Sequence, residues 1–295
     1  MLKHVSRAGR DPETVRVDRR MRGSFSGEGR TDAMDAVLDH VMLRVADLDR
    51  SLDWYRTHLD YEEKDRHEGD GFTIVYLGPE SMHEDAAMLE LTHNEGEVPE
   101  IGDAWGHIAV RVPEGELEAA YQELMDEGVE DYRDPASCGG QYAFVKDPDG
   151  HEIELVTSDQ GSQWSLDHTM LRTTDVERAI GFWSRGFEYE LAGRWEADTF
   201  ANYFLRPADA APAAMSVELT YNYDGRDYEQ HDGWGHLAVR AADLAADWET
   251  LMTREAPNYR PPSENDDMYG FTKTPDGHEI EVLPRDPEAD SLFPF

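Results

Sequence analysis

The chain has 295 residues, room for two domains of ordinary size, and carries 64 Asp+Glu against 27 Lys+Arg, a formal net charge of -37. So acidic a surface repels phosphate, which argues against nucleic acid and anionic membranes as partners. With 39% hydrophobic and 10% aromatic residues the chain is too apolar for disorder to explain the acidity, so the charge belongs on folded surfaces.

The only lysines are Lys3, Lys64, Lys146 and Lys273, so arginine supplies nearly all the positive charge. This balance fits a halophilic protein in a salt-rich cytoplasm, where screening weakens self-repulsion. The single cysteine, Cys138, rules out a disulfide within the chain and reads as a spare thiol. No apolar run is long enough for a membrane span or a signal-peptide core. The expectation is a soluble cytoplasmic protein, monomer or homodimer, acting on a small molecule.

Residues 1–34 differ from the rest, with eight basic side chains against five acidic ones and almost no apolar periodicity. They are expected to form a disordered basic tail. Beyond them a strand carrying His40, LDHVMLR (38–44), leads into DLDRSLDWYRTHL. There Leu48, Leu52, Tyr55 and Leu59 share a helical face and Asp47 is placed to cap it. Short strands follow in FTIVYLG (72–78) and AMLELTH (87–93). Strand GHIAVRV (106–112) precedes a second helix, ELEAAYQELMDEG (116–128), built on Leu117, Tyr121 and Leu124 and closed by a glycine. QYAFVKD (141–147), a DPDG turn and HEIELV complete this part.

The same text then recurs. LDHVMLRVADLDRSLDWY (38–55) matches LDHTMLRTTDVERAIGFW (166–183), and WGHIAVR (105–111) matches WGHLAVR (234–240). LELTHN (89–94) matches VELTYN (217–222), and DPDGHEIELV (147–156) matches TPDGHEIEVL (274–283). Residues 35–158 and 164–286 therefore read as two copies of one domain, joined by the polar linker TSDQGSQWS and followed by a C-terminal tail, 287–295. Leu244, Trp248 and Leu251 mark the second helix of the second copy. Each copy reads β-α-β-β-β twice, so the expected fold is α+β, with four βαβββ modules making two curved mixed sheets.

Alternate residues of a strand face opposite sides. In the first strand Val41, Leu43 and Val45 oppose His40, Met42 and Arg44. Likewise Leu89 and Leu91 oppose Glu90, Ile108 and Val110 oppose His107, and Ile153 and Leu155 oppose Glu152 and Glu154. The second copy repeats this with His168, Glu218, His236 and Glu281. Any one of these alone is an ordinary surface residue. Two imidazoles and two carboxylates, kept together twice while 61–86 and 189–214 diverge, form an N2O2 set suited to an octahedral divalent metal with two open positions. Other repeated residues have plainer readings. His151 and His278 follow tight turns and should be solvated, and Trp105 and Trp234 should pack beside the strand of the second ligand.

On HVMLRV…DLDRSLDWY, ELTHN, GHIAVRV and FVKDPDGHEIELV the sequence resembles the vicinal oxygen chelate superfamily and, within it, glyoxalase I, over residues 35–286. The resemblance implies paired βαβββ modules and a lyase acting on the hemithioacetal of an α-oxoaldehyde, such as methylglyoxal, and a small thiol, through an ene-diolate. It implies the metal ligands His40, Glu90, His107 and Glu154, with His168, Glu218, His236 and Glu281. The later carboxylates, Glu154 and Glu281, would be the catalytic base. Arg44, Asn94, Arg172 and Asn222 would meet the carboxylate end of the thiol co-substrate. The metal implied is nickel or cobalt, with zinc, manganese or iron open. Asp103 and Asp232 stand four before His107 and His236, where some glyoxalases place a substrate-binding Arg, so the thiol is left open.

Two other functions remain. An extradiol ring-cleaving dioxygenase of this superfamily uses iron and a His-His-Glu triad, with an upstream His and a Tyr; here Phe144 and Phe271 stand where the Tyr should be. A non-catalytic binding protein of the same fold is the other. The ligands could pair in two ways: within a copy, or crossed, as His40, Glu90, His236 and Glu281 against His168, Glu218, His107 and Glu154. The single-repeat dimers of the family favour the crossed form.

The charge makes a direct prediction. At 0.01 M salt the Debye length grows to roughly 30 Å and self-repulsion is little screened. The protein should unfold on dilution from molar salt, seen as lost far-UV circular dichroism; full stability at low salt would contradict the halophilic reading.

Overall fold

A computed structural model describes residues 36–160, 163–207 and 210–284. The tails expected at 1–34 and 287–295 lie outside the described residues. The first module holds β1 (Val37–Arg44), α1 (Leu48–Leu59), β2 (Tyr61–Glu68), β3 (Phe72–Pro79) and β4 (Met88–Asn94). The second holds β5 (Trp105–Val112), α2 (Leu117–Asp126), β6 (Asp131–Arg133), β7 (Tyr142–Lys146) and β8 (Glu152–Thr157). The third holds β9 (Leu166–Arg172), α3 (Val176–Gly186), β10 (Tyr189–Glu196), β11 (Phe200–Pro207) and β12 (Ser216–Asn222). The fourth holds β13 (Trp234–Ala241), α4 (Leu244–Thr253), β14 (Gly270–Lys273) and β15 (Glu279–Pro284).

Three of the four helices begin at a capping aspartate, α2 being the exception. The Asp47 side chain accepts from the Arg50 N–H, Asp175 from Arg178 and Asp243 from Ala246. α1 buries Leu52, Tyr55 and Leu59 and ends at Asp60 in the left-handed region. The fourth module departs from the expected order. Where the second has β6, the fourth has one isolated bridge, Arg260 to Phe271, and a 3-10 turn at Pro262–Glu264. Pro261 and Pro262 bring no N–H to a ladder, so a strand cannot run through NYRPP.

Neither repeat closes a sheet by itself. One sheet has the order β14-β15-β13-β1-β4-β3-β2, the other β10-β11-β12-β9-β5-β8-β7-β6. Each joins the first module of one repeat to the second module of the other. The seams are antiparallel pairs. β1 lies on β13, with Leu38 opposite Val239 and Val41 opposite Leu237, and β5 lies on β9, with Ala109 opposite His168. On the concave side of each seam strand lie the His residues; the other side enters one continuous apolar core shared by both repeats, including Leu38, Leu89, Ile108, Leu171, Leu237 and Ile280.

At the middle of that core the Trp105 and Trp234 rings stack, with centroids 5.3 Å apart and planes within 6°. His278 meets Trp105 edge-on and His151 meets Trp234 edge-on. The expectation that His151 and His278 are solvated is therefore corrected: both are buried. The tight turn folds each ring under itself instead of outward. Asp147 accepts from the His151 backbone N–H at 2.8 Å and pairs with its Nδ1 at 2.9 Å, while Nε2 donates to the Gly233 carbonyl at 2.9 Å. His278 Nε2 donates to the Ala104 carbonyl at 2.9 Å, and its Nδ1 accepts from the Thr274 hydroxyl at 2.9 Å. Each histidine thus ties a turn of one repeat to the other repeat.

The surroundings of the two rings shift them in opposite directions. Burial alone would lower His151, but the Asp147 carboxylate outweighs it and holds the imidazole above its ordinary value. Burial lowers His278, outweighing the opposing pull of the Ala104 carbonyl and the Asp276 charge. A raised folded pKa stabilises fully below the unfolded value and is lost as pH rises through the folded one; a lowered histidine behaves in reverse. The melting-temperature gap between wild type and His151→Gln should therefore shrink as pH rises above 6.5. The gap for His278→Gln should shrink as pH falls below 6.5. Parallel slopes for the two variants would refute the assignment.

Candidate metal centres

The eight repeated His and Glu residues fall into two groups, each drawing two residues from each repeat. His40 on β1 and Glu90 on β4 meet His236 on β13 and Glu281 on β15. His168 on β9 and Glu218 on β12 meet His107 on β5 and Glu154 on β8. This is the crossed grouping, and the seams produce it: each first-ligand strand lies against the second-ligand strand of the other repeat.

In the first group His40 Nε2 lies 3.0 Å from His236 Nε2, 3.0 Å from Glu90 Oε2 and 3.4 Å from Glu281 Oε2. His236 Nε2 is 3.2 Å from Glu281. In the second, His107 Nε2 and His168 Nε2 are 3.1 Å apart, and Glu154 Oε2 is 3.0 Å from both. Glu218 Oε2 is 2.9 Å from His168 and 3.5 Å from His107. All four donor atoms of the second group lie within 4.8 Å of one another; in the first, His40, Glu90 and His236 do, and Glu281 closes on the two imidazoles from the cavity side. Two donors about 2.1 Å from one ion and at right angles stand about 3.0 Å apart, so these spacings suit neighbouring positions of an octahedral set. The residues present fit a divalent ion.

The electrostatics point the same way. Burial disfavours charge on His40 and His168, yet the carboxylates around each push its imidazole well above its ordinary value. Glu90, Glu154 and Glu218 are held low against their own burial, and Glu281 is lowered to about 2. Each interior cluster thus favours added positive charge, which a metal ion supplies.

The orientation of the rings rests on residues that the sequence reading passed over. Asp39 pairs with His40 Nδ1 at 2.7 Å and is itself gripped by Arg240 of the other repeat. Asp167 pairs with His168 Nδ1 at 2.9 Å and accepts from Arg111 Nε at 2.9 Å. A proton held on Nδ1 turns the Nε2 lone pair toward the centre. The signal was present: Asp precedes the His in both copies of LDH, and Arg ends both WGHxAVR motifs. His107 and His236 have no such partner; Phe144 and Phe271 meet them edge-on at 5.2 Å and 5.3 Å. Their preceding residues are Gly106 and Gly235 because a Cβ there would run into the Met170 and Met42 side chains.

A cavity of about 230 Å³ opens beside the first centre, lined among others by Arg44, Tyr76, Arg260, Tyr269 and Phe271. Arg44 donates to the Asp232 carbonyl at 2.9 Å, and Arg172 donates to the Asp103 and Trp105 carbonyls at 2.7 and 2.6 Å. Asn94 and Asn222 end their strands bonded to Glu97 and Tyr228, and Asn94 is not among the cavity's lining side chains. Asp103 and Asp232 bind backbone N–H groups of Glu229 and Glu100, so they pin loops between repeats. Arg260 was not foreseen. It pairs with Glu279 at 2.6 Å and lies over the Phe271 ring, and Arg133 is its counterpart over Phe144. The repeated Tyr-Arg of EDYRDP and PNYRPP is the sequence trace of both.

The family model for the Glyoxalase/Bleomycin resistance protein/Dioxygenase superfamily matches residues 37–155 and again 165–282. A probable lactoylglutathione lyase, chloroplastic, of Arabidopsis thaliana is 30% identical over 218 residues, covering 70% of this chain and 59% of its own length. A lactoylglutathione lyase of Neisseria meningitidis is 38% identical over 129 residues, 41% of this chain but 91% of its own length. The crystal structure of glyoxalase I from Zea mays superposes with a TM-score of 0.72 at 23% identity, over 85% of this chain and 93% of that one, a likeness of fold. Among the described residues no helix is long and apolar enough to cross a membrane. With both repeats matched and the same tandem fold, the chain belongs to the Glyoxalase/Bleomycin resistance protein/Dioxygenase superfamily.

Proposed function

We propose that the chain is a metal-dependent lyase of the glyoxalase I type, acting in the cytoplasm on the hemithioacetal of an α-oxoaldehyde and a small thiol. The observation that carries this reading is the pair of four-donor clusters, each with two imidazole nitrogens 3.0–3.1 Å apart and two carboxylates beside them. The relatives named lactoylglutathione lyase support it. A divalent ion in such a set supplies Lewis acidity for charge that develops on a carbonyl oxygen. The set of two imidazoles and two carboxylates suits nickel or cobalt in octahedral coordination.

The protein's own task is proton transfer between adjacent carbons. In each cluster the later glutamate is the more accessible one: Glu281 is 9% exposed against 1% for Glu90, and Glu154 8% against 2% for Glu218. Glu281 also lines the cavity. Its carboxylate, lowered to about 2 by His236 and His40 against its own burial, is ionised at neutral pH, the form from which a base must start. It takes the proton from the carbon next to the carbonyl and returns it to the neighbouring carbon. Glu90, the more buried of the two and held by the Thr92 hydroxyl, stays in place as a ligand. Met42, Ile74 and Phe271 give the cavity wall beside it an apolar part. Arg44 and Arg260 are the cations available to an anionic thiol, and both are already engaged, by carbonyls and by Glu279. The thiol therefore has to be chosen by assay. Four ligands, and Phe in place of a proton-transferring Tyr, weigh against ring cleavage at an iron triad.

Purified protein should hold two metal ions per chain and turn over methylglyoxal with one member of a thiol panel. Replacing Glu154 and Glu281 together by Gln should lower kcat by about 10²–10⁴-fold. The double variant His40→Ala/His236→Ala should keep about one ion and measurable turnover, whereas His40→Ala/His168→Ala should lose both. Iron with catechol cleavage, or no metal at all, would overturn this function.

A further inference from the structure

The two centres share equivalent ligands, but their surroundings differ at two positions of one strand pair. On β3, Tyr76 lies across from Glu90 and Ile74 across from Thr92. On β11, Phe204 lies across from Glu218 and Asn202 across from Thr220. The first centre thus gains a phenol where the second has a bare ring. The second gains an amide where the first has hydrocarbon.

Both changes act on the same ligand, the earlier glutamate. Tyr76 is buried, meets His40 edge-on with centroids 5.2 Å apart, and lines the cavity with Glu90 and Glu281. Its phenol hydroxyl, a donor as in any neutral tyrosine, is set across the strand pair beside the Glu90 carboxylate. The Thr92 hydroxyl donates to Glu90 Oε1 at 2.7 Å, and Ile74 opposite offers no rival acceptor. In the second centre Phe204 meets His168 edge-on without a hydroxyl. There the Thr220 hydroxyl has one proton and two acceptors, Asn202 Oδ1 at 3.0 Å and Glu218 Oε1 at 3.3 Å. One donor makes one full bond at a time, and the nearer acceptor is the amide. Glu90 is held by two hydroxyls, Glu218 by part of one.

We propose that the two centres are inequivalent, and that Tyr76 is a positioning residue that makes the His40–Glu90–His236–Glu281 centre the tighter divalent-cation site. This rests on the metal reading above. A ligand already locked in its binding position loses less freedom when the ion arrives, and outer-sphere partners of this kind change metal affinity by about 10–100-fold. At limiting metal the Tyr76 centre fills first.

Single-centre chains separate the two: His107→Ala leaves the Tyr76 centre and His236→Ala leaves the Phe204 centre. The probe is cobalt(II) alone, added to chelator-stripped protein and followed by its visible absorption and by calorimetry. The Tyr76 centre should bind about 10–100-fold more tightly. Tyr76→Phe in the first chain should remove most of that difference. Phe204→Tyr in the second chain should tighten cobalt binding, a gain that damage to the fold cannot mimic. Equal affinities in the two chains, or unchanged affinity after Tyr76→Phe, would overturn the inference alone. If neither chain takes up cobalt, the metal reading itself falls and this inference falls with it.

Discussion

Everything in this molecule depends on two antiparallel seams, β1 on β13 and β5 on β9. Each seam hydrogen-bonds the first strand of one repeat to the second-ligand strand of the other. Strand pairing is periodic in two residues, so a slip of one would turn the histidine of the slipped strand into the apolar core and break the centre. Leu38, Val41, Val239 and Leu237 fix the register from the core side, and the imidazoles follow on the other face. The seams also leave each repeat incomplete alone, since neither sheet closes without strands from both.

That arrangement buries seven of the eight candidate ligands, all but the half-buried His236, together with Asp39, Asp147 and Arg111. Interior charges are costly unless paired, and removal of one partner leaves the other exposed to the full desolvation penalty. The chain meets this with relays that cross between repeats: Arg240 to Asp39 to His40, and Arg111 to Asp167 to His168. The same crossings that complete each centre hold the halves together. At the core the stacked Trp105 and Trp234, flanked by His278 and His151, repeat the pattern with apolar surface, each histidine reaching a carbonyl of the other repeat.

Within this near-symmetry the two halves have drifted apart where the sheets do not constrain them. The fourth module has a single bridge followed by two prolines where the second has a short strand, and the first centre has a tyrosine where the second has phenylalanine. Duplication fixes the backbone frame because every strand is paired on that frame. Side chains at the cavity wall contact only one another and the ligands, so they are free to differ.

By itself the sequence determined the order of the first three modules, the helix cap at Asp47 and which His and Glu positions recur in both copies. These are local or periodic properties: a period of two places His40 opposite Val41, and a repeat marks which polar positions are held. The fold class followed from the same text. What only the tertiary structure decided lies between distant segments. The joining of His40 with His236 instead of His107 is set by which strand edges meet, and an alternating pattern leaves that choice open. The burial of His151 and His278 was misread because a residue after a tight turn is solvated unless another segment covers it, and that segment, around Gly233 or Ala104, is remote in the chain. Asp39 and Arg240, or Arg260 over Phe271, were visible as repeated letters but not as contacts. A repeat shows that a residue is kept, and only the packing shows what it touches.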